Sequence, residues 1–567
     1  MTINRNFMAT AARRVMLPAL ALAGFAACKD VTSLDESATT FISPDNYYQN
    51  DAQAASAVNG AYSPLMGWNG WKSPAQYSVM CDDNTILCWN WMNGGFSGQQ
   101  AGQWYMQDNS VYIGDYQIIE RANEVLANVP KSGGISDAMK KMATGQALFI
   151  RGYAYFDLVR RFGGVPIRTE PYVPDAQLGA KARATNVEVW QQVAKDLSAA
   201  APLLPSTYST PNGQGLPRAA AAWGLLAKVY LHMAGDEVAG TTLAGAKAAY
   251  ADSARLAALK EMAEPGVTLE PNYMDLFDPV KQNTSSEILF AIQGAAVNNS
   301  GSQIPGYAAP RGDCTLIGGC GQGFMSLRED FVRSFARGDK RAASNAIAMS
   351  WENTNSPYGK LRVLQQDSLD ALKAAGQISL DTVTKYGSWS EGCGAFDMNY
   401  HNIVINGAAP KIYGVSRPFY TLKYVDTQHL TTDQAASNNF LILRHADVLL
   451  VYAEAENEKN GATPAAYAAI NQVRARAGIA NLTPGLSQSA FRDAVWAERE
   501  HELYGEFQQH FDLIREGRYL TAMNAKSSIS DFSGQGVCTP RQSYQKLQNI
   551  PNKELAANPL LTQNPGY

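Results

Sequence analysis

Helical periodicity over long stretches is the feature that most constrains the fold of this 567-residue chain. Apolar side chains recur at three- and four-residue spacings, and Gly-Gly, Pro or Asn-Gly separate the periodic segments. The pattern predicts helices over residues 43–65, 104–129, 137–162, 186–204, 217–234, 243–262, 444–460, 463–477 and 488–515. We therefore expect a mainly α fold.

Two pairs of these helices are alike in sequence. Tyr230 is followed in the next helix by Tyr250, and Tyr452 by Tyr467, with alanines beside each ring. Alanine lets helices approach closely while tyrosine fills the groove between them, as in tetratricopeptide-like helical hairpins. The two Tyr-to-Tyr spacings differ, so we expect an irregular hairpin scaffold.

Residues 264–440 have a different pattern from the helices on either side. They are rich in Gly, Asn and Ser, contain few periodic runs and include a strand-like piece at 287–293. The pattern predicts a large loop-rich insertion with short strands, between an N-terminal helical region (43–263) and a C-terminal one (441–567). Within the latter, the Asn- and Pro-rich residues 548–567 are expected to be extended.

Composition excludes two classes of protein. With 46% hydrophobic and 10% aromatic residues, the chain is outside the disordered class. Its formal charge of −4 argues against a nucleic-acid partner, which requires a basic surface.

The N-terminal residues predict export. A start containing Arg5, Arg13 and Arg14, an apolar middle and a small-residue cleavage site before Cys28 are typical of a signal peptide over residues 1–27. The site resembles a lipobox, which predicts lipidation of Cys28 and a polar tether over 28–42. An ordinary secretory signal with an incidental Cys28 is the alternative. The apolar run is shorter than the roughly 20 residues of a membrane span, so no transmembrane helix is expected.

The remaining cysteines favour disulfides, because their number is even and an exported chain enters an oxidising compartment. They are Cys81, Cys88, Cys314, Cys320, Cys393 and Cys538. Fifteen connectivities are possible in principle. Short local loops favour Cys81–Cys88 and Cys314–Cys320, which leaves Cys393–Cys538 by elimination. No CxxC or nearby His pair indicates a metal site.

Two carboxylates on one predicted helix require partners. Asp447 and Glu454 lie seven residues apart on an otherwise apolar face, and we expect them to be paired if buried. Arg474 and Arg476 are candidate partners. A carboxylate pair for acid/base hydrolysis is the functional alternative.

Further carboxylates at 498, 502 and 506 follow one another at four-residue steps, a pattern typical of a solvated or ion-paired helix face. The chain has no His-Glu-x-x-His pair, Gly-x-Ser-x-Gly elbow or glycine-rich phosphate loop. We therefore expect a binding protein, neither an enzyme nor a cofactor carrier.

Several segments, in order along the chain, resemble one family, the SusD/RagB-like outer-membrane lipoproteins that capture nutrients. They are residues 51–62; IRGYAYFDLV at 150–159 with GGVP at 163–166; GDKR at 338–341; RHADVLL at 444–450; NQVRARAG at 471–478; EREHEL at 498–503; and 550–567. The resemblance covers most of the chain.

The resemblance implies a cell-surface, lipid-anchored protein of the outer membrane. Such a protein would capture oligosaccharides and deliver them to a SusC-like TonB-dependent transporter. Oligopeptide capture, as in RagB-type relatives, is the alternative cargo, and a glycan hydrolase within residues 264–440 is a third hypothesis. The family does not identify the ligand.

A tryptophan-rich stretch over residues 68–104 contains half of the ten tryptophans, among Gly, Asn and Ser. Sugars bind flat aromatic faces beside polar side chains. In an extended segment Trp89 and Trp91 project to the same side, which predicts a stacking platform. The hydrogen-bonding candidates beside it are Asn90, Asn93, Asp82 and Asp83.

Other tryptophans have different predictions. Trp104, Trp190, Trp223 and Trp496 lie in periodic helices and are expected in the core, while Trp68 and Trp71, beside the first helix, could cap the core. The resemblance implies a ligand surface where the insertion meets the early loop. Trp351 and Trp389 of the insertion are therefore further ligand-binding candidates.

Overall fold

The computed structural model describes residues 47–66, 85–87, 110–172, 180–208, 215–235, 247–296, 301–302, 304, 308, 325–328, 331–332, 334–343, 345–348, 352–353, 381–389, 396–403, 411–414, 420–426, 436–527 and 540–567. All structural statements below concern these residues.

The mainly helical class is confirmed. The α-helices are α1 (Asp51–Tyr62), α2 (Ser110–Asn128), α3 (Asp137–Phe162), α4 (Asn186–Ala200), α5 (Ala219–Met233), α6 (Lys247–Met262), α7 (His445–Asn460), α8 (Pro464–Ala477), α9 (Gln488–Glu502), α10 (Gln509–Arg515), α11 (Tyr519–Ser527) and α12 (Asn552–Ala557). Single 3₁₀ turns follow α1 (Ser63–Met66) and α2 (Val129–Lys131) and occur at Tyr273–Leu276, Gln282–Thr284, Lys340–Ala342 and Ser543–Lys546.

Side-chain caps explain where several helices begin. Ser136 and Ser487 each accept a hydrogen bond from a backbone N–H in the first turn of α3 and α9. Thr185 and Glu188 form a reciprocal capping box at α4. Each cap satisfies backbone donors that a helix start leaves without an intrahelical partner.

Helices that follow one another in sequence pack against one another from α1 to α6. Small residues allow close approach: a Cβ on Gly152 of α3 would lie 3.1 Å from the side chain of Leu197 on α4. Buried alanines serve the same purpose in α5 and α6. This is the tetratricopeptide-like hairpin arrangement that the sequence predicts.

The helical stack continues across the insertion, because α6 packs directly against α7. Strand β2 (Ile288–Ile292) pairs antiparallel with the last strand, β10 (Phe440–Arg444). Phe290 of β2 contacts Phe149 and Tyr153 of α3 edge-on, with ring centroids 5.0 and 5.5 Å apart. The chain therefore leaves and re-enters the helical stack through one buried strand pair.

Short antiparallel strands make up the rest of the described insertion. They are β3 (Met325–Leu327), β4 (Ile347–Ala348), β5 (Glu352–Asn353), β6 (Asp381–Trp389), β7 (Phe396–Ile403), β8 (Lys411–Gly414) and β9 (Tyr420–Thr421). One sheet has the order β5-β8-β7-β6, and β4 pairs with β9. Strand β1 (Thr85–Leu87), from the early tryptophan-rich stretch, pairs with β3.

Two predicted elements differ from the structure. Residues 488–515 are not one helix: α9 ends at Glu502 and α10 starts at Gln509, because Gly505 and Phe507 between them have positive φ values of 69° and 61°. The C-terminal stretch is not simply extended, since it contains α12 and folds back on itself. Gln563 accepts a hydrogen bond from the Ile550 N–H and donates one to its carbonyl.

The tryptophans expected in the core divide into two groups. Trp190 is buried, whereas Trp223 and Trp496 are half-buried beneath cations: Lys260 Nζ lies 4.0 Å from the ring centroid of Trp223. Trp104, Trp68 and Trp71 lie outside the described residues. No helix in the described part of the chain has the length and apolar character to cross a membrane.

Candidate ligand-binding site

Most of the sequence-predicted site residues lie outside the described part of the chain. These are Asp82, Asp83, Trp89, Asn90, Trp91, Asn93 and Trp351, together with Cys28 and the six other cysteines. The backbone of Trp389 is described at the end of β6, where it pairs with Phe396. The site and the disulfide pairs therefore remain predictions.

The described element nearest the predicted platform in sequence is β1. It lies between the acidic pair at 82–83 and the tryptophan pair at 89–91. Its three residues align with β3 in antiparallel register, with Thr85 opposite Leu327 and Leu87 opposite Met325. We call this strand pair the platform seam. It joins the early loop to the insertion, which is where the resemblance placed the ligand surface.

Strand β9 supports the platform seam from behind. It contacts β3, and its two residues are buried, as is Leu327. It also pairs with β4, and the Leu422 N–H donates to the Ala346 carbonyl at 2.8 Å. Any group that holds β9 in place therefore holds the support of the seam.

The turn between α9 and α10, residues 503–508, holds the chain that follows β9. We call it the junction turn. Lys423 Nζ donates to the Tyr504 carbonyl at 2.6 Å, and Tyr424 Oη donates to the Gly505 carbonyl at 2.8 Å. Lys423 also lies 3.8 Å above the Tyr504 ring and contacts Glu506 at 2.9 Å.

Burial changes the titration of this lysine. Removing the ammonium group from water lowers the pKa of Lys423 to about 8, although the Glu506 carboxylate acts in the opposite direction. Lys423 is thus a buried base held by directed contacts.

The backbone of the junction turn is unusual at two positions. Gly505 has φ +69°, which glycine adopts without the steric penalty of a side chain. Phe507 has φ +61°, which is rare for a residue with a Cβ, and its ring packs on Phe440 of β10 at 4.8 Å. This conformation ends α9 and directs the Tyr504 and Gly505 carbonyls toward the residues that follow β9.

A buried network of charges surrounds the junction turn, centred on Arg444. Its guanidinium contacts both oxygens of Glu506 at 2.9 Å, Glu287 at 2.9 Å and Glu502 at 2.5 Å. All four side chains are almost completely inaccessible to solvent. Arg444 is the last residue of β10, so the network closes the exit of the insertion against the end of α9.

Arg341 holds a second part of the insertion to α9. It contacts Asp339 at 2.7 Å, Glu498 at 2.6 Å and Glu502 at 3.1 Å, and its side chain is fully buried. The Tyr504 hydroxyl donates to the Arg341 carbonyl at 2.9 Å. The GDKR segment noted in the sequence is therefore an attachment point of the insertion.

Glu502 is the anion shared by these contacts. Burial alone would favour its neutral form, but the guanidinium groups of Arg476, Arg444 and Arg341 together hold its pKa below the ordinary value. A carboxylate kept ionised by three arginines is suited to holding structure and unsuited to general acid catalysis.

The burial of these glutamates was not predicted, although a signal for it is present. The buried residues of α9 include Phe491, Val495, Glu498 and Glu502, and their spacings of four, three and four define one stripe. The two carboxylates thus continue the apolar face of the helix. A charge that falls on the core stripe of a helix predicts a buried ion pair.

A second buried network joins the scaffold helices α5, α7 and α9. Asp447 contacts Lys228 at 2.7 Å and Arg499 at 2.8 Å, and Arg499 contacts Asp512 at 3.0 Å. Lys228 also donates to Gln508 of the junction turn at 2.7 Å. Although burial opposes ionisation, Lys228 and Arg499 lower the pKa of Asp447.

The expectation that Asp447 and Glu454 each pair with a cation is confirmed, but the predicted partners, Arg474 and Arg476, were wrong. Glu454 contacts Arg515 at 2.5 Å. Arg474 and Arg476 instead contact Glu498 and Glu502 of α9. The sequence shows that a buried acid needs a cation, while the choice among arginines depends on which helices meet.

A polar groove of about 590 Å³ lies elsewhere, between α3, α4 and the chain that joins them. Arg151, Glu170, Lys181, Glu188 and Lys195 are among its lining residues. The described residues that line it include no aromatic ring, which a sugar-stacking surface requires. We therefore do not place the ligand site there. No cluster of three or more His, Cys, Asp or Glu suited to a metal ion occurs in the described ranges.

Comparison with known proteins identifies the fold. The model of the SusD family matches residues 286–567. A second family model, described as starch-binding associating with outer membrane, matches residues 34–231. The two matches lie on either side of α6, in the order expected from the sequence motifs.

Individual relatives cover almost the whole chain. SusD-like protein P2 of Formosa agariphila is 25% identical over 564 residues, which are 95% of this chain and 97% of the relative. A SusD homolog from Bacteroides thetaiotaomicron, 22% identical, superposes with a TM-score of 0.71 over 92% of this chain and 98% of its own.

One similar structure contains a ligand. Surface glycan-binding protein A from Bacteroides thetaiotaomicron, in complex with laminarihexaose, has a TM-score of 0.65 and 19% identity, and covers 91% of this chain and 99% of its own. The two family-model matches show that the chain belongs to the SusD family.

Proposed function

We propose that this protein captures oligosaccharides at the cell surface and delivers them to a SusC-like TonB-dependent transporter of the outer membrane. Membership of the SusD family and the glycan-binding names of its structural relatives support a binding role without catalysis. The platform seam supports the proposal further, because β1, which ends two residues before Trp89, pairs with the insertion.

Trp89 and Trp91 form the stacking platform in this proposal. Asn90, Asn93, Asp82 and Asp83 offer hydrogen bonds to hydroxyl groups, and Trp351 and Trp389 extend the surface from the insertion. Rings bind the C–H face of a sugar, while short polar side chains bind its edges. A platform that follows a paired strand loses less conformational freedom on binding than an unsupported loop.

The test is calorimetric titration of the mature protein with laminarihexaose, followed by glycan and peptide arrays. Replacing Trp89 or Trp91 by alanine should weaken glycan binding by about 1 to 3 kcal/mol while leaving the melting temperature unchanged. The matched control is Trp223→Ala, since this half-buried ring stacks with Lys260 on the scaffold. That variant should melt earlier and bind as the wild type does.

Two results would contradict the proposal. Unchanged glycan affinity in both platform variants would exclude Trp89 and Trp91 from the site. Binding of peptides and of no glycan would favour the oligopeptide alternative, and accumulation of cleaved glycan in a long incubation would indicate a hydrolase.

Anchoring and delivery complete the proposal. Cys28 carries the lipid, residues 1–27 are removed, and residues 28–42 tether the folded part to the membrane. Cys28→Ala should yield unacylated protein that is lost from the outer-membrane fraction. Repeated recovery of the wild-type protein without a barrel transporter, from membranes dissolved in mild detergent, would count against delivery.

A further inference from the structure

The platform seam and the junction turn are connected through a short series of buried contacts. Strand β1 pairs with β3, and β3 packs on β9. Two and three residues after β9, the side chains of Lys423 and Tyr424 reach two successive carbonyls of the junction turn at 2.6 and 2.8 Å. The series therefore extends from the start of the predicted ligand loop to the end of α9.

The junction turn is held in place by buried contacts on both sides, so it can fix the position of residues that bind to it. Glu506, which contacts Lys423, is also bound through both oxygens by Arg444, and Gln508 accepts from Lys228 of α5. The turn is thus attached to the helical scaffold on one side and to the insertion on the other. Charged hydrogen bonds in a buried setting have narrow geometric tolerance.

We propose that Lys423 and Tyr424 are positioning residues for the ligand surface, which fix the platform seam relative to the helical scaffold without contacting ligand. Their effect on binding rests on the function proposed above, while the coupling itself rests only on the contacts described. Both residues are buried. Strand β9 pairs with β4, and the side chains of Lys423 and Tyr424 add directed contacts from the residues that follow it to the junction turn.

Hydrogen–deuterium exchange tests the coupling without any ligand. In Tyr424→Phe, which keeps the ring and loses one hydrogen bond, amides of residues 85–87 and 325–327 should exchange about tenfold faster than in wild type. Lys423→Met should have a larger effect, and Lys423→Arg, which keeps the cation, a smaller one. Amides of α6, whose residues make none of the contacts in this series, should be unchanged.

Two control variants separate positioning from a general loss of stability. Tyr155→Phe removes a buried hydroxyl of α3 that donates to the Arg168 carbonyl at 2.9 Å and accepts from the Arg168 N–H at 2.6 Å. Lys281→Met removes an exposed lysine paired with Asp275 at 2.8 Å. Neither should alter exchange at residues 85–87.

Titration with laminarihexaose then tests the consequence for binding. Tyr424→Phe and Lys423→Met should raise the dissociation constant about fivefold or more, whereas both controls should leave it unchanged. Unaltered exchange at 85–87, or equal acceleration in α6, would overturn the inference. If the wild type binds no glycan, the proposed function fails, and exchange alone still decides whether the two residues position the seam. Because Tyr424→Phe conserves volume, this test does not depend on the folding of Lys423→Met.

Discussion

Helices α5 and α6 contact each other through small apolar residues, whereas the junction turn contacts its neighbours through buried charges. Ala251, Ala254 and Ala258 of α6 are completely buried, and α5 begins with four consecutive buried alanines. We call these alanines of α5 and α6 the alanine interface. The residues packed around the junction turn are instead Arg444, Glu502 and their charged partners.

The difference follows from what each region has to orient. Two regular helices satisfy their own backbone groups and need only surfaces that fit. The insertion meets α9 through loops and strand ends, which apolar contacts leave free to slide. Charged hydrogen bonds fix direction, and each buried ion is then dependent on its partners.

Removing one charge from the junction should have the largest effect. Arg444→Met leaves Glu287, Glu502 and Glu506 without their shared partner, and we expect a loss of about 3 to 5 kcal/mol in the free energy of unfolding. Urea denaturation measures it. Arg255→Met is the control, because its pair with Asp252 is partly exposed and should contribute less than about 1 kcal/mol. Equal losses in the two variants would contradict the contrast drawn here.

Acid should weaken the junction before it affects the alanine interface. Glu502 has a lower pKa in the folded protein than in the unfolded chain, so its stabilisation is complete above the unfolded pKa and declines as the pH falls. The stability difference between wild type and Glu502→Gln should therefore shrink below pH ~4.5, by about 1 kcal/mol for each pH unit. Urea denaturation of both proteins from pH 3 to 7 measures this difference. A difference that is constant with pH would show that Glu502 does not gain its stability from ionisation.

The alanine interface should instead be sensitive to added volume. Ala254→Leu inserts three carbons where Ala254 is fully buried, and should cost about 1 to 3 kcal/mol. Ala249→Leu makes the same change at an exposed position on α6 and should be nearly neutral. Thermal melts of the pair measure the difference. Similar melting temperatures would mean that α6 can shift to accommodate the larger side chain.

The smallest effect concerns the backbone of the turn. A Cβ on Gly505 would have its nearest neighbour at 3.9 Å, so Gly505→Ala encounters no clash and should lose about 1 kcal/mol from the positive φ alone. Gly60→Ala, within α1 and with open space around it, should gain about as much through helix propensity. Denaturation midpoints should thus move in opposite directions. A gain in both would show that the turn adopts another conformation in solution.

Periodicity predicted the regular part of the molecule well. It predicted the helices from α1 to α9, the strand at 287–293 and the loop-rich character of the insertion. The prediction was wrong at residues 488–515, where helical periodicity continues through a turn that separates two helices in the structure. Gly505 was a possible stop signal there, yet glycine within a helical pattern is also tolerated.

The candidate site stays a prediction, because Trp89, Trp91 and Trp351 lie outside the described residues. Tryptophans among Asn and Gly indicate a sugar surface, and the family indicates where such a surface lies. The support behind it, from β1 through β9 to Lys423 and Tyr424, has no sequence signal, because its members are far apart in the chain and each pairs with a backbone group.

The sequence by itself determined which segments are helical and that Asp447 and Glu454 need cations if they are buried. Those properties depend on neighbours within a few residues, so the order of side chains contains them. Only the tertiary structure decided that Lys228, Arg499 and Arg515 supply those cations, and that Glu502 is shared by Arg341, Arg444 and Arg476. Arginine and glutamate are long and occur throughout the chain, so any of several pairings satisfies charge. Which of them forms depends on how α5, α7, α9 and the ends of the insertion are brought together.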